Sequence, residues 1–447
     1  MDILIIGAGD IGFQLGKRLS QEKHDITIID SDPDKVKRAG EQLDAMTIEG
    51  HGASHEILKL ADFEKMDVMA AVTNQEEVNL LACKIGKKAG VPITIARIRN
   101  PEFMEPDFIL SQEDLGVDCL IHPEKETADA VIRLIRQSTA THVIEFADGK
   151  IQVLGIRLER GSVLLKTPLI DLVKKHGDPP MRIVAIKRNQ RTLIPSGEDR
   201  LLAGDQVFVI CDPDYISEFI SQTGQEETRI EDVMVLGGGL IGQFIAASLG
   251  KDINIKIVES DTAKSEAIAK KLPDTLIIHG DGTDLDLLGT EGVVDMDAFI
   301  AVTGDDETNI IATLVARHMK IPRTIALVNK IEYLPLTPTI GMDAVVSKQL
   351  LTANAIQRFI QHQNVATLAH LPGLNAQFIE FIAKDGDRIT RKPLQDTRFP
   401  KHAIVGAVIH EDSIVIPRGD TQITPGDQVV IFARPQAMDD VEKLFAD

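Results

Sequence analysis

The first sixteen residues, MDILIIGAGDIGFQLG (Met1–Gly16), decide the fold. A short apolar run leads into G-x-G-x-x-G at Gly7, Gly9 and Gly12, and a helical pattern follows. In a dinucleotide-binding βα unit, the first glycine permits a tight turn, the second lets the backbone approach a pyrophosphate, and the third lets helix and strand pack closely. The phosphates lie at the helix N-terminus, where free N–H groups and the helix dipole favour negative charge. We therefore predict a Rossmann-like nucleotide-binding domain.

An acidic residue stands where such a domain holds the ribose. The next strand, DITIID, ends in Asp30, 18 residues past Gly12. A carboxylate there accepts hydrogen bonds from ribose hydroxyls and repels a 2′-phosphate. Asp30 thus favours NAD or an adenine nucleotide over NADP.

The whole pattern occurs twice. DVMVLGGGLIGQFIAAS repeats the glycine loop with Gly237, Gly239 and Gly242, 230 positions after the first, and Glu259 repeats the acid. AVTNQEEVN returns as AVTGDDETN at the same offset, and LLAGDQVFVI returns as ITPGDQVVIF at an offset of 222. Because loops tolerate small insertions and deletions, the drift in offset indicates one duplicated unit.

Each unit divides again. Val/Ile/Leu runs alternate with helical patterns up to about residue 138, which is typical of a parallel sheet covered on both faces. The next segment contains the strand-like pieces HVIEFA, IQVLGIRL, RIVAIKR and QVFVIC and one helix-like piece, IDLVKKH. The predicted fold class is α/β: a tandem duplication of a Rossmann-like, doubly wound parallel-sheet domain followed by a small α+β domain. The predicted domains are residues 1–138, 139–224, 225–364 and 365–447, and a polar, charged linker, QTGQEETRIED, joins the first repeated unit to the second.

The composition of the chain excludes some classes of binding partner. The formal net charge of −20 argues against a nucleic-acid partner and against docking on an anionic lipid surface. No apolar run approaches the ~18 residues of a spanning helix, and no signal peptide is expected at the N-terminus. Cys83, Cys119 and Cys211 are far apart, which suits buried thiols in a reducing compartment rather than disulfides or a zinc site.

The sequence lacks an obvious catalytic group. It has no P-loop GK[ST], so ATP hydrolysis is not indicated. A dehydrogenase needs a proton donor, often a histidine. Yet His122 corresponds to Ser347, and His142 has no histidine counterpart in the repeat. We interpret both histidines as surface or capping residues, and we predict no catalytic residue and no metal site. An NAD-dependent oxidoreductase, supported by the glycine fingerprint alone, remains the alternative.

Taken together, the motifs GAGDIG, IIDSDPDKV, EGHGAS, AVTNQEEVN, ARIRNPEF and the GDQV turn resemble those of the RCK (regulator of K⁺ conductance) family, also described as KTN plus TrkA-C domains. The resemblance covers nearly the whole chain. It implies a non-catalytic cytoplasmic subunit that binds NAD(H) or ATP/ADP and gates a Trk-type potassium transporter. It further implies a homo-tetrameric ring, held at the inner face of the membrane by a membrane-spanning TrkH-type partner.

The resemblance also assigns residues. In the first unit it implies a phosphate loop, a ribose acid, an adenine-side loop, a segment after the fourth strand and two phosphate-reaching arginines, which are Gly7, Gly9, Asp10, Ile11, Gly12, Asp30, His51, Gly52, Thr73, Asn74, Glu77, Arg97 and Arg99. The corresponding residues of the second unit are Gly237, Gly239, Leu240, Ile241, Gly242, Glu259, Asp281, Gly282 and Thr303. Arginine suits terminal phosphates because its charge is permanent and forked. A surface or subunit-contact role for the two arginines is the alternative.

The second unit departs from the first at the phosphate end. Leu327 and Asn329 replace the two arginines, and Lys330 is the nearest cation in the sequence. Asp281 replaces His51, and TGDDETN carries three acids where TNQEEVN carries two. We therefore expect the second site to be a poor ATP site that holds NAD(H) or stays empty.

Overall fold

The structure is a computed structural model that describes residues 1–447 except 23, 106, 177–178, 190, 226–228, 361–364, 371–373, 375, 412 and 447. Contacts divide the chain into two compact units, Met1–Thr127 with Ser347–Gln361, and Ala128–Val346 with His362–Asp447. Residues 226–228 of the predicted linker and the boundary predicted at residue 364 lie outside the described residues. The boundaries of the four domains stay predictions.

The first Rossmann-like domain is a six-stranded parallel sheet with the order β3-β2-β1-β4-β5-β6. Its strands are β1 (Asp2–Ile6), β2 (Asp25–Asp30), β3 (Met46–Glu49), β4 (Val68–Ala71), β5 (Ile93–Arg97) and β6 (Cys119–Ile121). Its helices are α1 (Asp10–Gln21), α2 (Pro33–Gln42), α3 (His55–Leu60), α4 (Glu76–Ala89), α5 (Gln112–Leu115) and α6 (Pro123–Arg136). The strand order is that of the doubly wound dinucleotide fold.

Strand β1 shows why this sheet is apolar throughout. Ile3 and Ile5 belong to one hydrophobic cluster, and Leu4 and Ile6 belong to another. Successive side chains of a strand point to opposite faces, so both faces of β1 are covered. The predicted doubly covered parallel sheet is confirmed.

The first small domain is a five-stranded sheet in the order β10-β9-β11-β8-β7, with antiparallel pairing throughout. Its elements are β7 (His142–Phe146), β8 (Ile151–Arg157), α7 (Leu169–His176), β9 (Met181–Arg188), β10 (Arg191–Leu193), β11 (Gln206–Cys211) and α8 (Ile216–Gln222). The four predicted strands and the predicted helix are all present.

The second Rossmann-like domain repeats the first, with the order β14-β13-β12-β15-β16-β17. Its strands are β12 (Asp232–Leu236), β13 (Asn254–Glu259), β14 (Leu276–His279), β15 (Ala298–Ala301), β16 (Arg323–Leu327) and β17 (Ala344–Val346). Its helices are α9 (Leu240–Leu249), α10 (Thr262–Lys271), α11 (Leu285–Thr290), α12 (Asp306–His318), α13 (Thr337–Ile340) and α14 (Lys348–Ile360).

Helix α14 packs against the first Rossmann-like domain, which its sequence does not indicate. Ala355, Ile356 and Ile360 join the core cluster of the first Rossmann-like domain, beside Phe13 and Leu15 of α1. Arg18 donates to the Asn354 side chain, and Gln357 donates to Glu22. The first Rossmann-like core is thus completed by a helix that lies more than three hundred residues later in the chain.

The second small domain has β18 (Val365–His370), β19 (Gln377–Ile382), β20 (Ala403–His410), β21 (Ser413–Val415), β22 (Gln428–Ala433) and α15 (Met438–Glu442). Its sheet order is β18-β19-β22-β20-β21. The two small domains share one core, because Phe146, Phe208, Phe378 and Phe432 fall in a single cluster. Of the described helices, none combines the length and the apolarity needed to cross a bilayer.

Candidate functional site

The glycine loop of the first domain has the geometry that its sequence predicts. Gly7 has a φ of 107° and donates its N–H to the Ile29 carbonyl at 2.7 Å, which ties the loop to β2. A side chain at Gly7 would be strained because L residues rarely adopt that φ. A Cβ on Gly12 would lie 1.8 Å from the Gly7 carbonyl oxygen. The third glycine therefore lets α1 pack directly against the turn.

Gly9 is different, because a Cβ there would meet no atom within 4 Å. It is the N-cap residue of α1, and its carbonyl accepts from Phe13 at 2.8 Å. The first N–H groups of a helix have no partner inside the helix. The loop therefore presents backbone donors to open space, which is where a phosphate group can bind.

Asp30 closes one side of this opening. Its Oδ2 accepts from the Ala8 N–H at 2.6 Å, and its Oδ1 accepts from the Asp32 N–H at 2.9 Å. The carboxylate is partly buried and fixed in orientation at the end of β2. Each oxygen can accept a second hydrogen bond, so Asp30 can still receive two ribose hydroxyls.

The opposite side is built from the ends of β4 and β5. Arg97 Nη1 donates to the Thr73 carbonyl at 3.1 Å and to Asn74 Oδ1 at 2.7 Å. Burial lowers the pKa of the Arg97 guanidinium, and the neighbouring Arg99 adds to this. Arg99 is exposed, and its backbone N–H donates to Glu76 Oε2 at 2.8 Å.

A buried asparagine joins these two strand ends. Asn79 Oδ1 accepts from the Thr73 N–H and hydroxyl at 2.9 and 2.6 Å. Its Nδ2 donates to the carbonyls of Thr73 and Arg97 at 3.1 and 2.8 Å. Asn79 is fully buried, and all four of its hydrogen-bonding positions are used. Sequence reasoning missed it, although it lies within AVTNQEEVN.

The remaining predicted residues of the first site lie around the same edge of the sheet. Gly52 is buried against Ile6, and a Cβ there would lie 2.2 Å from Ile6 Cγ2. His51, Glu77 and Asp10 are exposed, and Ile11 points into the core. The residues predicted from sequence are therefore brought together at the carboxyl ends of β1 to β5, where doubly wound folds bind ligands.

The second domain repeats this framework closely. Gly237 has a φ of 109°, and a Cβ on Gly242 would lie 2.1 Å from the Gly237 carbonyl oxygen. Asn309 repeats the Asn79 bonds to Thr303 and to the end of β16. The other predicted residues of this site are placed as in the first: Gly239 at the N-cap of α9, Leu240 and Ile241 in its first turn, Asp281 and Gly282 after β14.

Charges differ between the two sites. Glu259 accepts from the Gly238 N–H at 3.1 Å and forms an ion pair with Lys264, whereas Asp30 has no ion pair among the described contacts. Hydrogen bonding to Lys264 and to backbone N–H groups lowers the pKa of Glu259 against the opposing effect of burial. Lys264 was not identified from the sequence. No short motif marks it, and only its contact with Glu259 reveals it.

The phosphate end of the second site also differs. Lys330 is paired with Glu307, which also accepts from the Tyr333 hydroxyl at 2.9 Å. Lys330 holds the pKa of Glu307 at about 2. Asp306 accepts from the N–H groups of Asn329 and Lys330, as Glu76 does in the first domain, so it is a structural acid. Asp305, which replaces Gln75, caps α12.

The two histidines are less exposed than their interpretation as surface or capping residues predicts. His122 is buried rather than at the surface, with 2% exposure, although its Nδ1 does accept from the Lys125 N–H at the start of α6. His142 is half-buried, and burial lowers its pKa to about 3, with Lys187 and Arg323 adding to the effect. Cys83 and Cys211 are buried free thiols, and Cys119 is half-buried.

Fold and site together define a class. The chain is a duplicated α/β protein in which a dinucleotide-type Rossmann domain is followed, twice, by a small β-rich domain. The TrkA-N domain family matches residues 3–123 and 233–348, and the TrkA-C domain family matches residues 153–224 and 378–446. The chain therefore belongs to the RCK/TrkA family.

Relatives match along the full length. A Methanosarcina mazei protein named Trk system potassium uptake protein TrkA homolog 2 is 34% identical over 454 residues, with 100% of both chains covered. The Azorhizobium caulinodans Trk system potassium uptake protein TrkA is 32% identical over 451 residues, covering 100% of this chain and 98% of its own.

Solved structures share the fold. The GsuK RCK domain crystal structure superposes with a TM-score of 0.62 at 17% identity, covering 100% of this chain and 95% of that one. The GsuK channel bound to NAD superposes with a TM-score of 0.62 at 18% identity, covering 100% of this chain and 79% of that one.

Proposed function

We propose that this chain is a non-catalytic regulatory subunit of a Trk-type potassium-uptake system, and that nucleotide binding to its Rossmann-like domains gates K⁺ flux through a membrane-spanning partner. The observation that carries the proposal is the sequence identity of 32–34%, along the full length of the chain, with proteins named for Trk potassium uptake. The open glycine loop and the fixed carboxylate of Asp30 support nucleotide binding.

The ligands follow from the site. The N–H groups at the start of α1 bind the inner phosphates, and Asp30 binds the ribose of NAD(H) or of ATP/ADP. Arg97 and Arg99 bind the outer phosphates. Arginine suits this role because its charge-assisted hydrogen bonds to phosphate are strong. Arg97 is half-buried and already braced by Asn74, so it needs little reorganisation to receive a phosphate.

The partners are a TrkH-type membrane subunit and further copies of this chain, arranged as a homo-tetrameric ring at the cytoplasmic face of the membrane. Light scattering on the purified protein tests the ring. A defined oligomer, most simply a tetramer, is expected, and a stable monomer of 48.9 kDa at micromolar concentration contradicts it.

Flux measurement tests the function itself. The chain is added to vesicles that contain the TrkH-type subunit, and rubidium uptake is followed with ATP, ADP, NADH or no nucleotide. A nucleotide-dependent change in uptake that requires this chain is expected. If rubidium uptake is the same with and without the chain and with every nucleotide, the proposal is wrong.

A second assay separates the regulator from an NAD-dependent oxidoreductase. NADH is incubated with the protein and a panel of carbonyl compounds, and absorbance at the reduced nicotinamide band is recorded. A regulator binds NADH stoichiometrically without turnover. Steady, substrate-dependent oxidation of NADH identifies an enzyme instead.

A further inference from the structure

A basic cleft lies away from both glycine loops, inside the unit Ala128–Val346 with His362–Asp447. It has a volume of about 340 Å³, within the range of small-molecule sites. Its walls come from the first small domain and from the second Rossmann-like domain. The cations that line it are Arg157, Lys187, Arg317 and Arg323.

The four cations face only two acids, Glu159 and Asp343, in the lining. Asp343 is already engaged, since its Oδ2 accepts from the Thr324 N–H and hydroxyl at 2.9 and 2.6 Å. Its nearest approach to Arg317 is 4.0 Å. This concentration of positive charge stands out in a chain whose formal net charge is −20.

Arg323 is the most informative of the four. It is 4% exposed, and its Nη2 donates to the carbonyls of Leu134 and Ala140. Its Nε is buried and has no hydrogen-bond partner among the described residues. Thr139 Oγ1, in the same lining, is also buried without a partner. Buried polar atoms are rarely left unsatisfied, so these two atoms are available to a polar ligand in the cleft.

The internal repeat shows that the fold does not require this arginine. Arg323 opens β16 and pairs in register with Ala298, while Ile93 opens β5 and pairs in register with Val68. Ile93 packs against the core of the first domain. Because an isoleucine serves the same position in the other copy, the buried charge at Arg323 needs a reason beyond folding.

The cations of the cleft lie close enough to affect one another, and a bound anion would reduce their repulsion. Burial and the nearby Arg157 lower the pKa of the Lys187 ammonium. Gln206 Nε2 donates to Thr141 Oγ1 at 2.6 Å and lies 3.2 Å from His142 Nδ1, which orders the floor of the cleft. Mutual repulsion among these cations is unfavourable, and a bound anion relieves it.

We propose that this cleft is a binding site for a small anion that carries phosphate groups, distinct from the two glycine-loop sites. Phosphate fits better than a lone carboxylate, because three arginines and a lysine line the cleft and a phosphate group offers more charge and more acceptor oxygens than a carboxylate. The bound anion contacts the first small domain through Arg157 and Lys187 and the second Rossmann-like domain through Arg317 and Arg323. It therefore couples these two domains.

The test uses Lys187 as a local reporter on the full chain. Lysine acetylation by acetic anhydride is followed at Lys187 by peptide mass spectrometry, with pyrophosphate or ADP added, or chloride at equal ionic strength. Pyrophosphate is expected to protect Lys187 where chloride does not. Protection by ADP at a lower concentration than pyrophosphate identifies the source as an organic phosphate, and the reverse order identifies free phosphates.

Two exposed positions make a matched pair of variants. Arg157→Gln removes a cation from the cleft, whereas Arg160→Gln removes an exposed cation of the same small domain outside it. Arg157→Gln is expected to raise the half-protecting pyrophosphate concentration about tenfold or more, the loss typical of one charge-assisted bond. Arg160→Gln is expected to leave it unchanged. Absence of protection beyond chloride, or equal protection in both variants, overturns the proposal.

Discussion

At the scale of single residues, Asp30 has two tasks that share one carboxylate. It fixes the glycine loop through the Ala8 N–H, and it presents its remaining lone pairs towards the opening. We therefore expect its removal to cost the proposed hydrogen bonds to the ribose and also to loosen the loop. Asp34, four residues later, is exposed and carries the same charge without touching the loop.

We expect Asp30→Ala to weaken NADH binding by roughly 1.5–3 kcal/mol, because charge-assisted hydrogen bonds to the ribose are lost. NADPH binding is expected to change less, since the same carboxylate repels the 2′-phosphate. Calorimetry with both dinucleotides measures this, and Asp34→Ala is the control. Equal NADH and NADPH affinities in the unmodified protein contradict the assignment.

Glu259 lies in the same position of the second domain, but Lys264 changes its behaviour. The ion pair balances the charge of the carboxylate with an adjacent ammonium group. The preference for NADH that Glu259 predicts from sequence is thereby weakened at the second site. Opposite charges a few ångströms apart cancel most of the field that a 2′-phosphate would meet.

In an Asp30→Ala background, dinucleotide binding reports mainly the second site. There, Lys264→Ala is expected to lower NADPH affinity relative to NADH, because the carboxylate becomes unpaired. Lys270→Ala, on the exposed side of the same helix, is the control. If calorimetry finds the same ratio of NADPH affinity to NADH affinity in both variants, Lys264 does not affect the choice of dinucleotide.

At the scale of elements, each Rossmann-like sheet is held at its binding edge by one asparagine. Asn79 ties the end of β4 to the end of β5, and Asn309 ties β15 to β16. The two strands carry Thr73 and Arg97 at these ends. A change in the asparagine therefore alters both the stability of the sheet and the alignment of the site.

We expect Asn79→Ala to destabilise the first domain by about 1–3 kcal/mol, the cost of leaving buried partners unsatisfied. Gln75→Ala is the control, since its side chain is exposed and makes no cap bond to α4. Urea unfolding followed by circular dichroism gives the two midpoints. If the midpoint for Asn79→Ala matches that of the control, the hydrogen bonds of Asn79 do not stabilise the domain.

The elements also show where prediction from sequence succeeds. Strand β1, the glycine turn and Asp30 were predictable because each follows from residues within one βα unit. Helix α14 on the first core and the shared phenylalanine core of the small domains were not predicted. These contacts join segments far apart in the chain, and periodicity carries no information about which distant face a helix covers. Lys264 was missed for the same reason as Asn79: its role is a contact, not a motif.

At the scale of the whole molecule, the duplication does not give two independent halves. Residues 347–361 belong to the same contact unit as residues 1–127. A cut near residue 224 would strip α14 from α1 and expose Phe13 and Leu15. Comparisons between the two nucleotide sites therefore require point variants in the full chain.

The two sites differ most in cations available to a terminal phosphate. Arg99 is exposed at the first site, and Arg97 bonds only to neutral oxygens among its described contacts. Lys330, at the second site, is already paired with Glu307. We therefore expect a third phosphate to gain charge-assisted bonds at the first site only, at ~1.5–3 kcal/mol each before screening. A ligand shifts a conformational equilibrium only by its differential affinity for the two states, so we expect ATP sensing, if the chain has it, to depend on the first domain.

Arg97→Ala combined with Arg99→Ala is accordingly expected to abolish the effect of ATP on rubidium uptake while NADH binding persists. NADH binding is expected to persist because the proposed contacts of its phosphates with the glycine loop and of its ribose with Asp30 are left unchanged. Lys330→Ala is the matched control in the second domain, and it should leave the ATP response intact because Lys330 is occupied by Glu307. Uptake in reconstituted vesicles and calorimetry with ATP and NADH measure the two properties separately. If the double variant still responds to ATP while Lys330→Ala does not, the sensing site is the second domain and the division of labour is reversed.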